Sequence, residues 1–149
     1  MEELSRQIHN QITARCEQAN MLLEDGQFGP ALEELWSAWD LLPEAKTQWE
    51  AATFILGSIG DINFLTADFQ AGRDNLHSAM HCPDAVGNAF LHFRLGQCEF
   101  ELGEHDNAAQ ELARAYLAAG VEVFRGSDPK YYDYLQTRLE PPPNGWDAL

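Results

Sequence analysis

The chain has 149 residues and carries 24 acidic against 9 basic side chains, a formal net charge of −15, with 45% hydrophobic residues. That length suits one domain burying roughly 70% of the surface its unfolded form exposes, so no disulfide or metal staple is needed, and the apolar fraction argues against disorder. The charge would repel a phosphate backbone and an anionic lipid surface, which disfavours nucleic-acid and membrane partners.

No apolar run approaches the roughly eighteen residues that cross a bilayer, and the start MEELSRQIHNQ is acidic and polar, unlike a signal peptide. A cytoplasmic location is expected. Cys16, Cys82 and Cys98 are far apart and lack CxxC spacing. They are expected to be reduced and structural, not a disulfide framework or a thiolate zinc site.

In chain order, helices are predicted at about 2–25, 28–42, 45–59, 61–80, 84–102, 105–124 and 129–139, with no strand alternation. Gly26 closes the first. Pro30 falls in the first turn of the second, where its missing N–H costs little, and Pro43 follows that helix. The run Gly57-Ser58-Ile59-Gly60 is expected to be the turn between the third and fourth. Pro83 breaks the fourth from the fifth, with Asp84 as the expected N-cap. The fifth helix is apolar on more than one face, and Gly103 closes it. Ser127-Asp128-Pro129 starts the last helix, whose Tyr131, Tyr132, Tyr134 and Leu135 are expected to cover the open end of the molecule. After it, Pro141-Pro142-Pro143 favours an extended form, strapped back by Trp146. The division is thus one helical domain over 1–140 and a proline-rich tail over 141–149.

Two segments repeat. Gly26 is followed by Phe28, Ala31, Leu35 and Ala38, and Gly103 by His105, Ala108, Leu112 and Ala115 at the same offsets. A glycine closes one helix where a left-handed conformation is cheap only without a Cβ, and the alanines keep a thin face on the next. The leucine fills the seam between them. Upstream of each turn sits a small residue, Ala19 or Gly96. A looser middle copy runs Trp49, Ala52, Leu56, Gly60-Asp61-Ile62, Leu65, Phe69 and Gly72. These spacings resemble the tetratricopeptide repeat, a 34-residue helix-turn-helix unit, with copies over about 12–45, 46–79 and 89–122. The resemblance implies an all-α superhelix of about three antiparallel hairpins with a C-terminal capping helix.

Motifs that carry chemistry are sparse. There is no GxSxG elbow, no phosphate-cradling loop ending in lysine, no GxGxxG and no HExxH. His77 and His81 lie one helical turn apart beside Cys82, the spacing of a metal-dependent enzyme, but no fourth ligand accompanies them. His9, His92 and His105 are scattered. Paired acids such as Glu99 with Glu101 are expected on solvated helix faces. No enzyme activity, metal or cofactor is expected.

The resemblance implies that the first helix of each hairpin lines an inner, concave surface that binds a peptide or protein. Carried over position by position, that surface holds Cys16, Asn20 and Glu24, then Glu50 and Phe54, then Phe90, Phe93, Gln97, Phe100 and Glu101. Acids around an aromatic groove favour a basic protein partner. The lysine- and arginine-rich clamp of the family's cochaperones is missing from these positions, which disfavours that role. The reading is a non-enzymatic binding module, with a bacterial immunity protein that neutralises a toxin as the first candidate and a secretion chaperone or general adaptor as the alternative. Open ends could also stack copies into a homo-oligomer.

Overall fold

The computed structural model describes residues 3–149 and contains, among them, only helices, turns and loops. The α-helices are α1 (Arg6–Glu24), α2 (Phe28–Leu41), α3 (Glu50–Leu65), α4 (Phe69–Ala79), α5 (Ala89–Glu101), α6 (His105–Ala119) and α7 (Lys130–Arg138), with short 3₁₀ turns at Lys46–Gln48 and Gly120–Phe124. The predicted beginning of the first helix at residue 2 lies outside the described residues. Ser5 starts that helix instead, its hydroxyl accepting a bond from the Ile8 amide at 3.2 Å.

Pairing α1 with α2, α3 with α4 and α5 with α6 gives three helical hairpins, each joined by a three-residue turn. The three turns close alike. Gly26, Ala67 and Gly103 take φ of +73°, +60° and +79°. Each donates its amide to the carbonyl three residues back, and the residue after it reaches five back: Gln27 to Leu22 at 2.8 Å, Asp68 to Asn63 at 2.8 Å and Glu104 to Glu99 at 2.9 Å. These bonds satisfy the last carbonyls of α1, α3 and α5.

The second turn is where the sequence reading fails. Gly57 and Gly60 lie inside an unbroken α3, and the chain reverses at Thr66-Ala67-Asp68. The reason is that those two glycines serve packing rather than backbone conformation. A Cβ on Gly60 would sit 2.4 Å from Leu76 Cγ, and one on Gly57 would sit 2.8 Å from a methyl of Leu91. In the corrected register Ala67, Phe69, Gly72, Leu76 and Ala79 stand where Gly26, Phe28, Ala31, Leu35 and Ala38 stand in the first hairpin. The middle copy is regular once an alanine is allowed at the turn.

Other boundaries move as well: the third helix begins at Glu50, after a separate 3₁₀ turn at Lys46–Gln48. The fifth helix begins at Ala89, because the Asn88 side chain accepts the Leu91 amide at 3.2 Å, while Asp84 sits in a left-handed conformation in the preceding loop. The sixth helix ends at Ala119, where Gly120 turns to φ +67°.

The core has three centres. Ile12, Leu35, Trp49, Ile55, Ile59 and Ile62 fill the first, between the first hairpin and α3. Leu76, Leu91, Leu95 and Cys98 fill the second, between α4 and α5. The third is aromatic: Phe93, Phe124, Tyr131 and Tyr132 with Leu112 and Leu135, under α7. The tail folds onto it. Trp146 meets the Tyr116 and Tyr132 rings at 5.4 and 5.9 Å, and the Tyr132 hydroxyl donates to the Asp147 carbonyl at 2.7 Å.

Gly60→Ala is expected to destabilise the chain by about 1–3 kcal/mol, because the Leu76 side chain has no room to move aside. Gly29→Ala, where a Cβ meets nothing within 4 Å, is expected to be neutral or slightly stabilising. Ala67→Gly should gain about 1 kcal/mol by relieving the left-handed alanine. Urea unfolding of the three variants checks all of these.

Candidate functional site

The first helices of the second and third hairpins leave a cavity of about 420 Å³ between them. From α3 it is lined by Glu50, Thr53, Phe54, Gly57, Ser58 and Asp61, and from the far side by Pro83, Asp84, Asn88, Phe90 and Leu91. Its floor exists because Gly57 has no side chain, so Leu91 closes against the α3 backbone. Its edge is held by the Thr53 hydroxyl, which donates to the Pro83 carbonyl at 2.7 Å and so ties the loop to α3. Asp84 sits next in that loop at φ +58°, a conformation an aspartate tolerates better than most residues.

Phe54 and Phe90 are 50% and 43% exposed here, while Leu91 below them is buried. Beside them Arg94 packs its guanidinium 4.4 Å from the Phe64 ring centre and 5.3 Å from that of Phe90. Its Nε donates to Asp61 at 2.7 Å, and a terminal nitrogen donates to the Gln97 side-chain oxygen at 2.7 Å.

The structure brings only some of the expected site residues together. Glu50, Phe54 and Phe90 share the cavity. Phe93 and Gln97 are 3% and 0% exposed and belong to the interior. Phe93 packs edge-on against Phe124 at 5.0 Å and against Tyr131 at 6.3 Å. Phe100 lies under α7, against Tyr131 and Tyr134 at 5.4 and 5.2 Å. Glu101 is engaged there too, accepting from the Tyr131 hydroxyl and from Lys130 Nζ, both at 2.6 Å. Burial raises its pKa, but those two bonds outweigh it and hold the carboxyl below its ordinary range. On α1, Cys16 packs onto the first core centre, Asn20 is exposed, and Glu24 lines a separate depression with Met21 and Gln27.

Residues that sequence reasoning missed are Asp61, Asp84 and Arg94. Their signal was present for α3, where Glu50, Phe54 and Asp61 recur at helical spacing, but the false turn at Gly60 hid it.

A buried polar chain crosses the opposite side of α5. The Gly87 amide donates to His92 Nε2 at 2.8 Å, which leaves the ring proton on Nδ1 for the 2.6 Å bond to Glu111. Glu111 also accepts from Arg114 at 2.5 Å. Next to this chain Glu99, expected on a solvated face, is 1% exposed, and its Oε1 has no hydrogen-bond partner among the described residues. Burial first, and the nearby charges of Glu111 and Glu104 second, push its pKa from 4.5 to about 8. His77 Nε2 lies 3.8 Å from the other Glu99 oxygen, Oε2. Cys82 turns its Sγ toward the Ser78 carbonyl at 3.6 Å, and no group of three His, Cys, Asp or Glu side chains among the described residues is placed to hold a metal. The Cys98 thiol, pushed up to about 12 by burial, stays protonated.

Three like hairpins and a following half-unit define a helical-repeat fold of the tetratricopeptide-like kind. This fold is similar to that of MamA, a tetratricopeptide-like helical-repeat protein. The crystal structure of MamA superposes with a TM-score of 0.64 over 85% of this chain and 75% of that chain, at 18% identity. No family model and no curated protein sequence matches the chain. No helix among the described residues is long and apolar enough to cross a membrane.

Phe93→Ala is expected to cost about 3–5 kcal/mol, as for a buried ring. Phe54→Ala and Phe90→Ala should each stay within about 0.5 kcal/mol of the wild type, as exposed positions do. Urea titration distinguishes the two outcomes. Between pH 4.5 and about 8 the folded chain holds a proton on Glu99 that the unfolded chain releases, so stability falls as pH rises through that window. Glu99→Gln is therefore expected to melt higher than the wild type at pH 8.5, with the gap closing toward pH 5 in thermal scans.

Proposed function

We propose that this chain is a non-enzymatic protein-binding module whose concave face docks a basic protein, and that it acts as an immunity protein occluding a toxin domain. One observation carries the reading. The cavity between α3 and α5 exposes two phenylalanines inside a rim of Glu50, Asp61 and Asp84, on a chain with net charge −15. Half-exposed rings ringed by carboxylates suit a surface that is apolar at its centre and cationic at its edge. A toxin that cleaves nucleic acid supplies the cationic part of such a surface, because its own active site must attract phosphate. Occluding it requires only shape and charge, both of which a rigid helical-repeat scaffold supplies without any reacting group.

The tetratricopeptide-like fold supports a protein partner as the general class, and the charge supports a basic one. Three free thiols, two of them buried, fit a cytoplasmic setting. The alternative of a secretion chaperone would need an open groove along all three hairpins. Here α7 covers Phe93 and Phe100, which leaves a short site and favours a folded partner.

The test is binding to a basic toxin domain encoded beside the gene. The expected result is nuclease inhibition with an association rate that falls about tenfold between low and moderate salt. The double variant Phe54→Ala with Phe90→Ala should lose inhibition while keeping its melting temperature. A salt-insensitive association rate, or a fully inhibitory double variant, overturns the reading.

A further inference from the structure

The cavity between α3 and α5 has a chemistry more specific than a generally acidic face. Three carboxylates line it, from Glu50, Asp61 and Asp84, and no cation does among the described residues. Asp61 is neutralised by Arg94 at 2.7 Å, whereas Glu50 and Asp84 have no ion-pair partner among the described residues. The two free charges stand on opposite walls, one at the start of α3 and the other in the loop before α5. Between the walls lie the half-exposed rings of Phe54 and Phe90.

The neighbouring Arg94 shows what this surface holds. Its guanidinium stacks on Phe64 and Phe90 and bonds to Asp61 at the same time. A planar, weakly hydrated cation satisfies ring faces and carboxylates together, which a strongly hydrated ammonium does less well. Phe54 with Glu50 and Asp84 offers the same pair of groups, a ring and carboxylates, without an internal cation to fill it.

We infer that this cavity is a subsite for one arginine side chain of the protein partner, its guanidinium placed against Phe54 between Glu50 and Asp84. The inference rests on the proposed binding of a basic protein and specifies which side chain anchors it. Arg94 closes one side and the Gly57–Leu91 floor sets the depth, so a single extended side chain enters from the concave face. Asp84 takes part because its left-handed backbone is held by the Thr53 bond to Pro83.

The experiment titrates the isotope-labelled full chain with acetyl-Gly-Arg-Gly-amide, and separately with the citrulline peptide, which has the same shape without the charge. Amide shifts are expected in residues 50–61 and 84–91, with dissociation constants on the order of millimolar. Citrulline should bind about tenfold more weakly, as should the arginine peptide to the double variant Glu50→Gln with Asp84→Asn. Both substituted positions are exposed, and asparagine tolerates the left-handed backbone, so an unchanged melting temperature confirms that the variant is folded. Equal binding of the citrulline peptide, or an unaffected double variant, overturns the inference. Shifts confined to α1 around Asn20 and Glu24 overturn the subsite but leave the basic-partner reading standing. No shifts anywhere on α1, α3 or α5 overturn both.

Discussion

Everything in this fold depends on one recurring contact, the seating of a leucine from the second helix of each hairpin on a residue with little or no side chain in the first. Leu76 presses on Gly60 and Leu112 on Gly96, at separations that leave no room for a Cβ, while Leu35 and Ala19 occupy the same positions in the first hairpin. In all three cases the two residues are sixteen apart and the reversal falls seven after the small one. Once the leucine is seated, the register of the hairpin, the place of its turn and the direction of its outer face are fixed together. Dispersion at such close approach is gained only if both helices are straight through the contact, which is why α3 runs unbroken across Gly60.

This contact also explains what could be read in advance. The first and third turns were legible because there a glycine stands at the turn itself, Gly26 and Gly103, seven residues after the small residue of the crossing, Ala19 or Gly96. In the middle hairpin the turn has no glycine. Glycine keeps the crossing, and Ala67 takes the turn at a cost in backbone strain. Glycine sought at the turn is found in the wrong place, and the shift of register that follows obscures Asp61 as a member of the cavity lining.

The candidate site was legible in part for a different reason. The double apolar face of α5 announced either a central helix or a binding surface, and the structure makes it mainly the former, since α3, α4 and α6 all pack on it and α7 covers what is left. Phe54 and Phe90 escape that fate because nothing crosses the gap between α3 and α5 at their level. Phe93 and Phe100 lie further along α5, where α7 takes the position that the first helix of a fourth hairpin would have. Burial of Glu99 follows from the same crowding: a helix packed on several sides has little solvated face to give its acids, whatever their number in the sequence.

The position of α7 has a further effect on how the chain comes apart. In a stack of repeats each unit touches only its neighbours, so stability adds up pairwise and the ends can fray one unit at a time. Here Tyr131 of α7 reaches past the third hairpin to the Phe64 ring at the end of α3, 6.4 Å away, while bonding to Glu101 of α5. The last helix is thereby coupled to two hairpins at once, and Trp146 adds the tail to the same cluster. Peeling from this end exposes the contacts of both hairpins together, so the C-terminal half opens as one cooperative unit rather than as a sequence of separable repeats.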